Sequence, residues 1–513
     1  MLIKYCLVGI LLLLLSSTAG GRIIIVDNSR KEDFSSIQEA IDTAISGDIV
    51  VVDEGQYTEN IVVNKELSII SNSTNPEDVV IRPRNPEDSI FSVQANNVTI
   101  EGFTLSGMKG KGNGIWLYDS IGCSLKNNII SGNFWGIFLE SSDENTIESN
   151  FLNDNDRCGI FLVESHQNLV ENNNINNQYD GLVLDSSNSN ILRDNLICEN
   201  SNLGIMLRDD SNGNQLYENK MNNNMFNFGD VGGFNEIDRS NLVNGKSIIY
   251  LNGVSDIRID VSSNAGTVCC YDCDNITVKD LVVSNNSCGV SFYNAERIIL
   301  HNLSCTNNGH GIYLMDCSDC TISNCSVQNN SHAGIYLDDS KKCLVEKNKV
   351  FYNYYGIYLN ADDCELNQNT VVKSTIGIMS GIANSNLIEN NGIYNNDIGI
   401  SFYLSDNNEV ENNEFSMNKE FGIFLQHSWN NSITSNTINQ NDVGIRFKES
   451  SINNSVSGNY LSDNEECFIG EKENSLFNNT CTNANGEHFL SFMYPVDLIF
   501  VIIGASWLQM HRN

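Results

Sequence analysis

The sequence predicts an all-β fold, a single right-handed parallel β-helix of about 16–18 stacked coils. A glycine followed by an apolar residue recurs about every 22 residues, the spacing of a solenoid repeat. Apolar residues alternate over only three or four positions in each repeat, which is typical of short strands, and no helical period is sustained there. The repeated glycines are Gly114, Gly136, Gly159, Gly181, Gly204, Gly289, Gly311, Gly334, Gly356, Gly377, Gly399, Gly422 and Gly444.

One repeat shows how a coil is built. In the segment GIYLDDSKKCLVEKN, which begins at Gly334, alternation predicts that Ile335 and Leu337 point inward and Tyr336 outward. The backbone N–H and C=O groups of a single coil have no partners within that coil. Stacking pairs them with the next coil, so the repeats are expected to form continuous parallel sheets.

Asparagine recurs where the second strand of each coil begins. Isoleucine or cysteine replaces it in some coils, as at Ile298 and Cys320, so the column is expected to face the interior. Asparagine tolerates turn geometry, and its amide can bond the amide of the next coil. The sequence predicts a structural ladder of Asn145, Asn168, Asn190, Asn386, Asn408, Asn431 and Asn454.

The N-terminal region differs from the repeats. Residues 1–21 read as a secretory signal peptide, with a lysine, an apolar run and then small residues. Beyond it, the spacing of Ile37, Ala40 and Ile41 predicts a short helix with Ser35 or Ser36 as N-cap, which would cover the open end of the solenoid. The predicted organisation is a cap and first coils at 22–112, regular repeats at 113–225, irregular middle coils at 226–288 and regular repeats at 289–485.

The last apolar stretch, residues 489–507, is interrupted by Pro495 and Asp497. Its length favours a C-terminal membrane anchor, and the alternative is a terminal strand that caps the last coil. The net charge of −35 excludes a nucleic-acid partner, which requires a basic surface. The expected location is secreted, either extracellular or at the cell surface with a membrane anchor.

Three segments resemble known β-helix families. The opening of the chain resembles pectin-lyase-like proteins, the repeats from Gly114 resemble carbohydrate-binding and sugar-hydrolase (CASH) repeats, and 237–280 resembles the middle of the NosD-like subfamily. The resemblance implies a β-helix fold, while activity varies widely among such repeats. The NosD name comes from a periplasmic protein of copper-site maturation. The residues that carry the opening resemblance are Ile37, Ala40, Ile41, Gly47, Asp48, Gly55, Tyr57, Glu59 and Lys65.

Two runs of aromatic residues occupy the outward position two residues after the glycine. Trp116, Phe138 and Phe161 form one run, and a second run of tyrosines is followed by acidic residues. Rings rimmed by carboxylates could stack sugars, or they could simply stabilise the sheet as a cross-coil ladder. Paired carboxylates could also serve glycoside cleavage or bind Ca²⁺. The candidate glycan-binding residues are Tyr313, Tyr336, Tyr358, Asp316, Asp338, Asp339, Asp362 and Asp363.

A candidate site for copper combines Cys288 and His310, one column on adjacent coils, with His332 near the next coil. Most of the sixteen cysteines crowd between residues 269 and 364, and the inward column favours buried free thiols over disulfides there.

No residues form a complete catalytic set, so no catalytic residue is predicted and no cofactor is expected, with Ca²⁺ or copper as alternatives. The predicted function is non-catalytic surface display and binding of envelope or extracellular glycans. The alternatives are a polysaccharide-active enzyme (glycoside hydrolase, lyase or epimerase) on the same scaffold and a NosD-like copper-handling accessory protein.

Overall fold

The structure, a computed structural model, describes residues 21–29, 33–231, 233–470, 472–484, 486, 488–490 and 501–502. They belong to two compact units, Met1–Gly245 (the N-terminal unit) and Lys246–Asn513 (the C-terminal unit). The boundary falls within the segment predicted as irregular middle coils. The predicted signal peptide, apart from its last residue, and most of 489–507 lie outside the described residues.

The N-terminal unit consists of three parallel sheets, to which successive coils contribute one strand each. Sheet A contains Ile23–Val26, Asp48–Val52, Leu67–Ser71, Thr99–Glu101, Ser124–Lys126, Thr146–Glu148, Leu169–Glu171, Ile191–Arg193, Gln215–Tyr217 and Glu236–Ile237. Sheet B contains Gly55–Thr58, Val79–Arg82, Thr104–Ser106, Ile129–Ser131, Phe151–Asn153, Asn174–Asn176, Leu196–Cys198, Lys220–Asn222 and Leu242–Val243. Sheet C contains Ile61–Val63, Phe91–Val93, Ile115–Tyr118, Trp135–Glu140, Cys158–Val163, Asp180–Asp185, Leu203–Arg208 and Phe226–Asp230.

The C-terminal unit repeats this plan. Sheet D contains Lys246–Asn252, Ala265–Tyr271, Cys288–Tyr293, His310–Met315, Ala333–Lys341, Tyr355–Asp362, Ile376–Gly381, Ile398–Tyr403, Phe421–Gln426, Val443–Lys448 and Glu466–Ile469. Sheet E contains Arg258–Ile259, Thr277–Lys279, Ile299–His301, Thr321–Ser323, Leu344–Glu346, Glu365–Asn367, Leu387–Glu389, Glu409–Glu411, Ser432–Thr434, Ser455–Ser457 and Ser475–Phe477. Sheet F contains Val282–Ser284, Ser304–Thr306, Ser326–Gln328, Lys349–Phe351, Thr370–Val372, Gly392–Tyr394, Glu414–Ser416, Thr437–Asn439, Tyr460–Asn464, Thr480–Asn483, His488–Leu490 and Val501–Ile502.

The sheets confirm the predicted all-β solenoid. Ile335 and Leu337 are fully buried and Tyr336 is half-buried on the outer side of its strand. The coil number of about 16–18 was too low, because the two units together contain about 21 turns. The prediction relied on the glycine signature, and the coils at 22–112 and 226–288 stack without it.

The repeated glycines are required by close packing inside each unit. A Cβ built on Gly334 would lie 2.6 Å from the carbonyl oxygen of Gly356 and 2.7 Å from Cγ1 of Val350. Real Cβ atoms do not approach other atoms that closely, so only glycine allows adjacent coils to meet at this point.

Asparagine ladders run through the core as the sequence analysis described. Nδ2 of Asn168 donates to Oδ1 of Asn190 and to the carbonyl oxygen of Ser142, each at 3.0 Å, and its Oδ1 accepts the backbone N–H of Asn145 at 2.8 Å. Its buried amide is therefore paired at both ends.

A further ladder escaped the sequence analysis. Its signal is an amide side chain three or four residues before most of the repeated glycines. It includes Asn133, Asn155, Gln178, Asn200 and Asn224 in the N-terminal unit and Asn286, Asn308, Asn330 and Asn353 in the C-terminal unit.

The described helices are short: α1 at Ile37–Thr43 and 3₁₀ turns at Pro76–Asp78 and Val261–Ser263. Ser36 is the N-cap of α1, because its hydroxyl accepts the N–H of Glu39 at 3.4 Å. The helix buries the three apolar residues expected and packs against strands of sheets A and C. Its role as a cap stays a prediction.

The last described coils contain a disulfide between Cys467 and Cys481. Cys320, Cys343 and Cys364 are free, buried thiols. His488–Leu490 runs antiparallel to Thr480–Asn483 and pairs with Val501–Ile502. Among the described residues, no helix has the length and apolarity needed to cross a bilayer. The membrane anchor stays a prediction.

Candidate functional site

The three predicted tyrosines lie in register on sheet D, and we call Tyr313, Tyr336 and Tyr358 the tyrosine strip. The ring centroids of Tyr313 and Tyr336 are 5.1 Å apart, and those of Tyr336 and Tyr358 are 4.5 Å apart. All three side chains are half-buried, so each ring contacts its neighbours and still reaches the surface. Such a strip offers apolar ring surface beside polar hydroxyls.

One of the predicted carboxylates bonds directly to the strip. The hydroxyl of Tyr313 donates to Oδ2 of Asp338 at 3.0 Å, and Nδ2 of Asn360 donates to Oδ1 of Asp338 at 2.7 Å. Burial, together with the charge of Asp338, raises the pKa values of Tyr313 and Tyr336. Both phenols are therefore neutral hydrogen-bond donors near neutral pH.

The other predicted carboxylates are exposed at the ends of the same strands and in the turns that follow: Asp316, Asp339, Asp362 and Asp363. Oδ1 of Asp362 accepts the backbone N–H of Asn384 at 2.7 Å. Burial and the neighbouring charge of Asp338 raise the pKa of Asp339. These residues form an acidic margin beside the strip, and Asp338 is the carboxylate with a described hydrogen bond to a strip tyrosine.

The predicted metal residues border the strip. Cys288 pairs in register with His310, and the rings of His310 and His332 are 4.6 Å apart. Nδ1 of His310 is buried and has no hydrogen-bond partner among the described residues. Burial, with a smaller effect from His332, lowers the pKa of His310 to about 3. The ring of His310 also lies 5.2 Å from that of Tyr313.

These donors do not form a complete metal centre in the described part of the chain. There, no three His, Cys, Asp or Glu side chains come together in an arrangement that could hold an ion. The side-by-side histidines supply two donors, and a stable site needs more ligands. Binding of copper or Ca²⁺ stays a prediction.

The strip is bordered by further aromatic residues that the sequence analysis did not include. Tyr271 and Tyr293 stack at 4.5 Å in a neighbouring column, and Tyr293 meets Tyr313 edge-on at 5.7 Å. Tyr355 stacks on Tyr358 at 5.0 Å. Tyrosine columns were visible in the sequence, but their contact follows from the register of sheet D.

The second aromatic run lies on sheet C of the N-terminal unit. Trp116, Phe138 and Phe161 are in register, and the centroids of Phe138 and Phe161 are 5.6 Å apart. The ring of Trp135 packs against those of Phe138 and Phe161. The sequence analysis did not include Trp135, because the residue type just before the repeated glycine varies from coil to coil. Trp116, Trp135 and Phe138 line a surface groove of about 530 Å³.

Comparison with known proteins gives one curated relative with a close local match. A cell surface glycoprotein of Methanothermus fervidus is 43% identical over 103 residues, which are 20% of this chain and 16% of the relative. The match thus spans about a sixth of that protein's length.

Similar solved structures have low identity. The A-module of a mannuronan C-5 epimerase from Azotobacter vinelandii is 11% identical, with a TM-score of 0.26, and the alignment covers 87% of this chain and 94% of the module. Pectate lyase Pel9A is 13% identical, with a TM-score of 0.31, and the alignment covers 68% of this chain and 77% of the lyase.

A family model described as periplasmic copper-binding protein (NosD) matches residues 41–237, 234–396 and 358–491. These segments run from sheet A's second strand, Asp48–Val52, to His488–Leu490 of sheet F. Because they cover most of the sequence, the chain belongs to the NosD family.

Proposed function

We propose that this protein is a non-catalytic surface protein that binds envelope or extracellular glycans along the tyrosine strip. The relative from Methanothermus fervidus is named as a cell surface glycoprotein, which supports a location at the cell surface. The observation that carries glycan binding is the strip itself, half-exposed rings in register on three adjacent coils with hydroxyls and carboxylates at their margin.

The chemistry of the strip suits a sugar. A pyranose has one apolar face that can stack on a phenol ring, and hydroxyls that can bond to neighbouring donors and acceptors. Asp338 and Asn360 supply such groups directly beside Tyr313 and Tyr336. Because the rings repeat once per coil, a linear glycan could contact several of them at once.

The test is a glycan array probed with the purified protein and with a variant that carries Tyr313→Ala, Tyr336→Ala and Tyr358→Ala. Each stacked ring contributes about 0.5–1.5 kcal/mol, so losing three should weaken binding by roughly tenfold or more. Unchanged array binding by the triple variant would refute the strip as the site.

A matched control is Tyr394→Ala. Tyr394 is also half-buried and its hydroxyl donates to Oε2 of Glu414 at 2.8 Å, but it lies on sheet F. This variant should bind glycans as the parent protein does. An equal loss in both variants would indicate general destabilisation of the coils.

A polysaccharide-active enzyme is a second candidate, favoured by the crowded carboxylates. Asp338 and Asp339 are adjacent, and burial together with the charge of Asp338 raises the pKa of Asp339. Mass spectrometry and proton NMR spectroscopy of an array-positive oligosaccharide after incubation test this. A shorter or epimerised product, abolished by Asp339→Asn, would replace the non-catalytic proposal.

Copper handling is a third candidate, supported by the family description and by the unpartnered Nδ1 of His310 beside His332. Metal analysis of the purified protein tests it. One copper ion per chain, lost in a His310→Ala, His332→Ala variant, would support it. The acidic margin is the corresponding candidate for Ca²⁺, tested by calorimetric titration with the metal alone.

A further inference from the structure

A second surface site lies on sheet C of the N-terminal unit, apart from the tyrosine strip. Two adjoining hollows, of about 530 and 340 Å³, share Trp135 in their walls, and together we call them the aromatic groove. Its most informative lining residues are Trp116, Trp135, Phe138, Phe161, Arg157 and Arg208.

The floor of the aromatic groove is a fixed set of rings. Trp135 lies 4.4 Å from Phe138 and 5.5 Å from Phe161, and the latter two rings stack at 5.6 Å with 20° between their planes. Nε1 of Trp116 donates to Oε2 of Glu140 at 3.2 Å, which orients the indole. These contacts hold the platform in place before any ligand binds.

The groove also carries positive charge in a strongly acidic chain. The guanidinium of Arg157 lies over two rings, 5.9 Å from the centroid of Phe134 and 5.7 Å from that of Tyr179. Arg157 is exposed, and its guanidinium has no ion pair or hydrogen bond among the described residues. The chain has 64 acidic and 29 basic residues, so a guanidinium without a carboxylate partner is informative.

The charged side chains of Arg208 and Asp180, which line the same hollow as Arg157, already have partners. Arg208, 5.8 Å over Phe161, forms an ion pair of 2.8 Å with Asp185. The carboxylate of Asp180 accepts hydrogen bonds from Nδ2 of Asn202 at 2.8 Å and from the N–H of Leu203 at 3.2 Å. Arg157 is therefore a charge in the smaller hollow that an incoming anion can use, while Lys111, Glu87 and Asp88 line the larger hollow.

We propose that the aromatic groove binds an acidic oligosaccharide, with a uronate carboxylate on Arg157 and sugar faces on Trp135 and Phe161. A planar guanidinium pairs a carboxylate through two hydrogen bonds, and the rings supply the stacking surface. A peptide is disfavoured, because the inner strands of sheet C are paired on both sides and leave no free strand edge for it. This site stands independently of the tyrosine strip.

The experiment uses the full chain and three pairs of tetrasaccharides: glucose and glucuronate, galactose and galacturonate, mannose and mannuronate. Within each pair the sugars differ only in the carboxylate at C6. At least one uronate should bind about tenfold more tightly than its neutral partner, the gain expected for one charge-assisted contact. Arg157→Gln should reduce that preference to less than threefold.

Two variants separate charge from stacking. Arg239→Gln removes an exposed arginine from the same unit that does not line the groove, and it should preserve the uronate preference. Trp135→Leu should weaken the uronate and its neutral partner together and leave their ratio unchanged. Thermal unfolding of each variant verifies its fold.

The proposal is overturned if no uronate is preferred over its neutral partner, or if Arg157→Gln and Arg239→Gln have equal effects. A preference that is lost in the tyrosine-strip triple variant and kept in Arg157→Gln would place acidic-glycan binding on the strip instead.

Discussion

The hydroxyl of Tyr313 donates a hydrogen bond of 3.0 Å to Oδ2 of Asp338 on the next coil. The bond joins two coils of sheet D through side chains, beside the backbone pairing of Tyr313 with Tyr336. It therefore orients the phenol ring, while the ring surface remains available to a ligand.

Removing the hydroxyl of Tyr313 separates its hydrogen bond to Asp338 from the stacking surface of its ring. Tyr313→Phe should lower the free energy of unfolding by about 1–2 kcal/mol, because a bond to a charged acceptor is lost. Glycan binding should fall less than threefold, because the ring is kept. Urea denaturation and the array measure the two effects. Tyr394→Phe is the control, since it removes a similar bond on sheet F. Binding lost as fully as in the alanine variant would contradict a stacking role.

His310 should make the C-terminal unit sensitive to acid. Its folded pKa of about 3 lies below the ordinary value of 6.5, because burial disfavours the charged imidazole. Between about pH 6.5 and pH 3, His310 is therefore protonated in the unfolded chain and neutral in the folded chain. The contribution is present above pH 6.5 and is lost as the pH falls toward 3, up to about 5 kcal/mol.

The measurement is the free energy of unfolding from pH 7 to pH 4. Two coils further on, the same column holds Tyr355, so tyrosine is a suitable replacement for His310. His310→Tyr should reduce the loss of unfolding free energy as the pH falls. His427→Tyr, at a half-exposed histidine bound to Glu449, is the control and should change the slope little. Parallel curves for the parent and His310→Tyr would show that the burial of His310 does not set the acid sensitivity.

Asn168 should be more important for stability than its exposed counterparts. Asn168→Ala removes four buried hydrogen bonds and deprives the buried backbone N–H of Asn145 of its acceptor, which should cost about 2–4 kcal/mol. Asn96→Ala, at an exposed asparagine of the same unit, should cost less than about 1 kcal/mol. Chemical denaturation compares the two. Equal losses would mean that the ladder adds nothing beyond an ordinary surface bond.

The repeated glycines should not tolerate alanine. A Cβ on Gly356 would lie 2.4 Å from both the carbonyl oxygen of Gly377 and Cγ1 of Val371, so Gly356→Ala should cost more than about 3 kcal/mol. At Gly381 the nearest atom is the hydroxyl oxygen of Tyr358 at 3.2 Å, and that side chain can move. Gly381→Ala should therefore cost less than about 1.5 kcal/mol. Thermal unfolding followed by circular dichroism compares the stability of the two variants. A larger loss in Gly381→Ala than in Gly356→Ala would disprove the packing argument.

Much of the fold was predictable because the same local pattern is repeated. Alternation placed Ile335 and Leu337 inside, and substitution by Ile298 and Cys320 showed that the asparagine column faces the core. The ladder of Asn133 and its successors was missed, because turn residues rich in asparagine do not reveal which amides point inward. The number of turns was underestimated, because some coils stack without the glycine.

The candidate sites were less predictable than the fold. The tyrosine strip could be anticipated from one position per repeat, since its members occupy a single column. Phe134, Arg157 and Tyr179 also share a column, two residues before the repeated glycine, but the position of the Arg157 guanidinium over both rings could not be anticipated, because it depends on side-chain rotamers.

The sequence alone determined the stacked-coil architecture, since a period of about 22 residues with strand-like alternation can satisfy its backbone hydrogen bonds only by pairing coil on coil. The tertiary structure decided which outward side chains share a surface. It left Nδ1 of His310 buried with no hydrogen-bond partner in the described part of the chain, joined Tyr313 to Asp338 by a hydrogen bond, and placed the guanidinium of Arg157 over two rings. Those relationships depend on turn conformation and side-chain rotamers between coils, for which a one-dimensional repeat contains no signal.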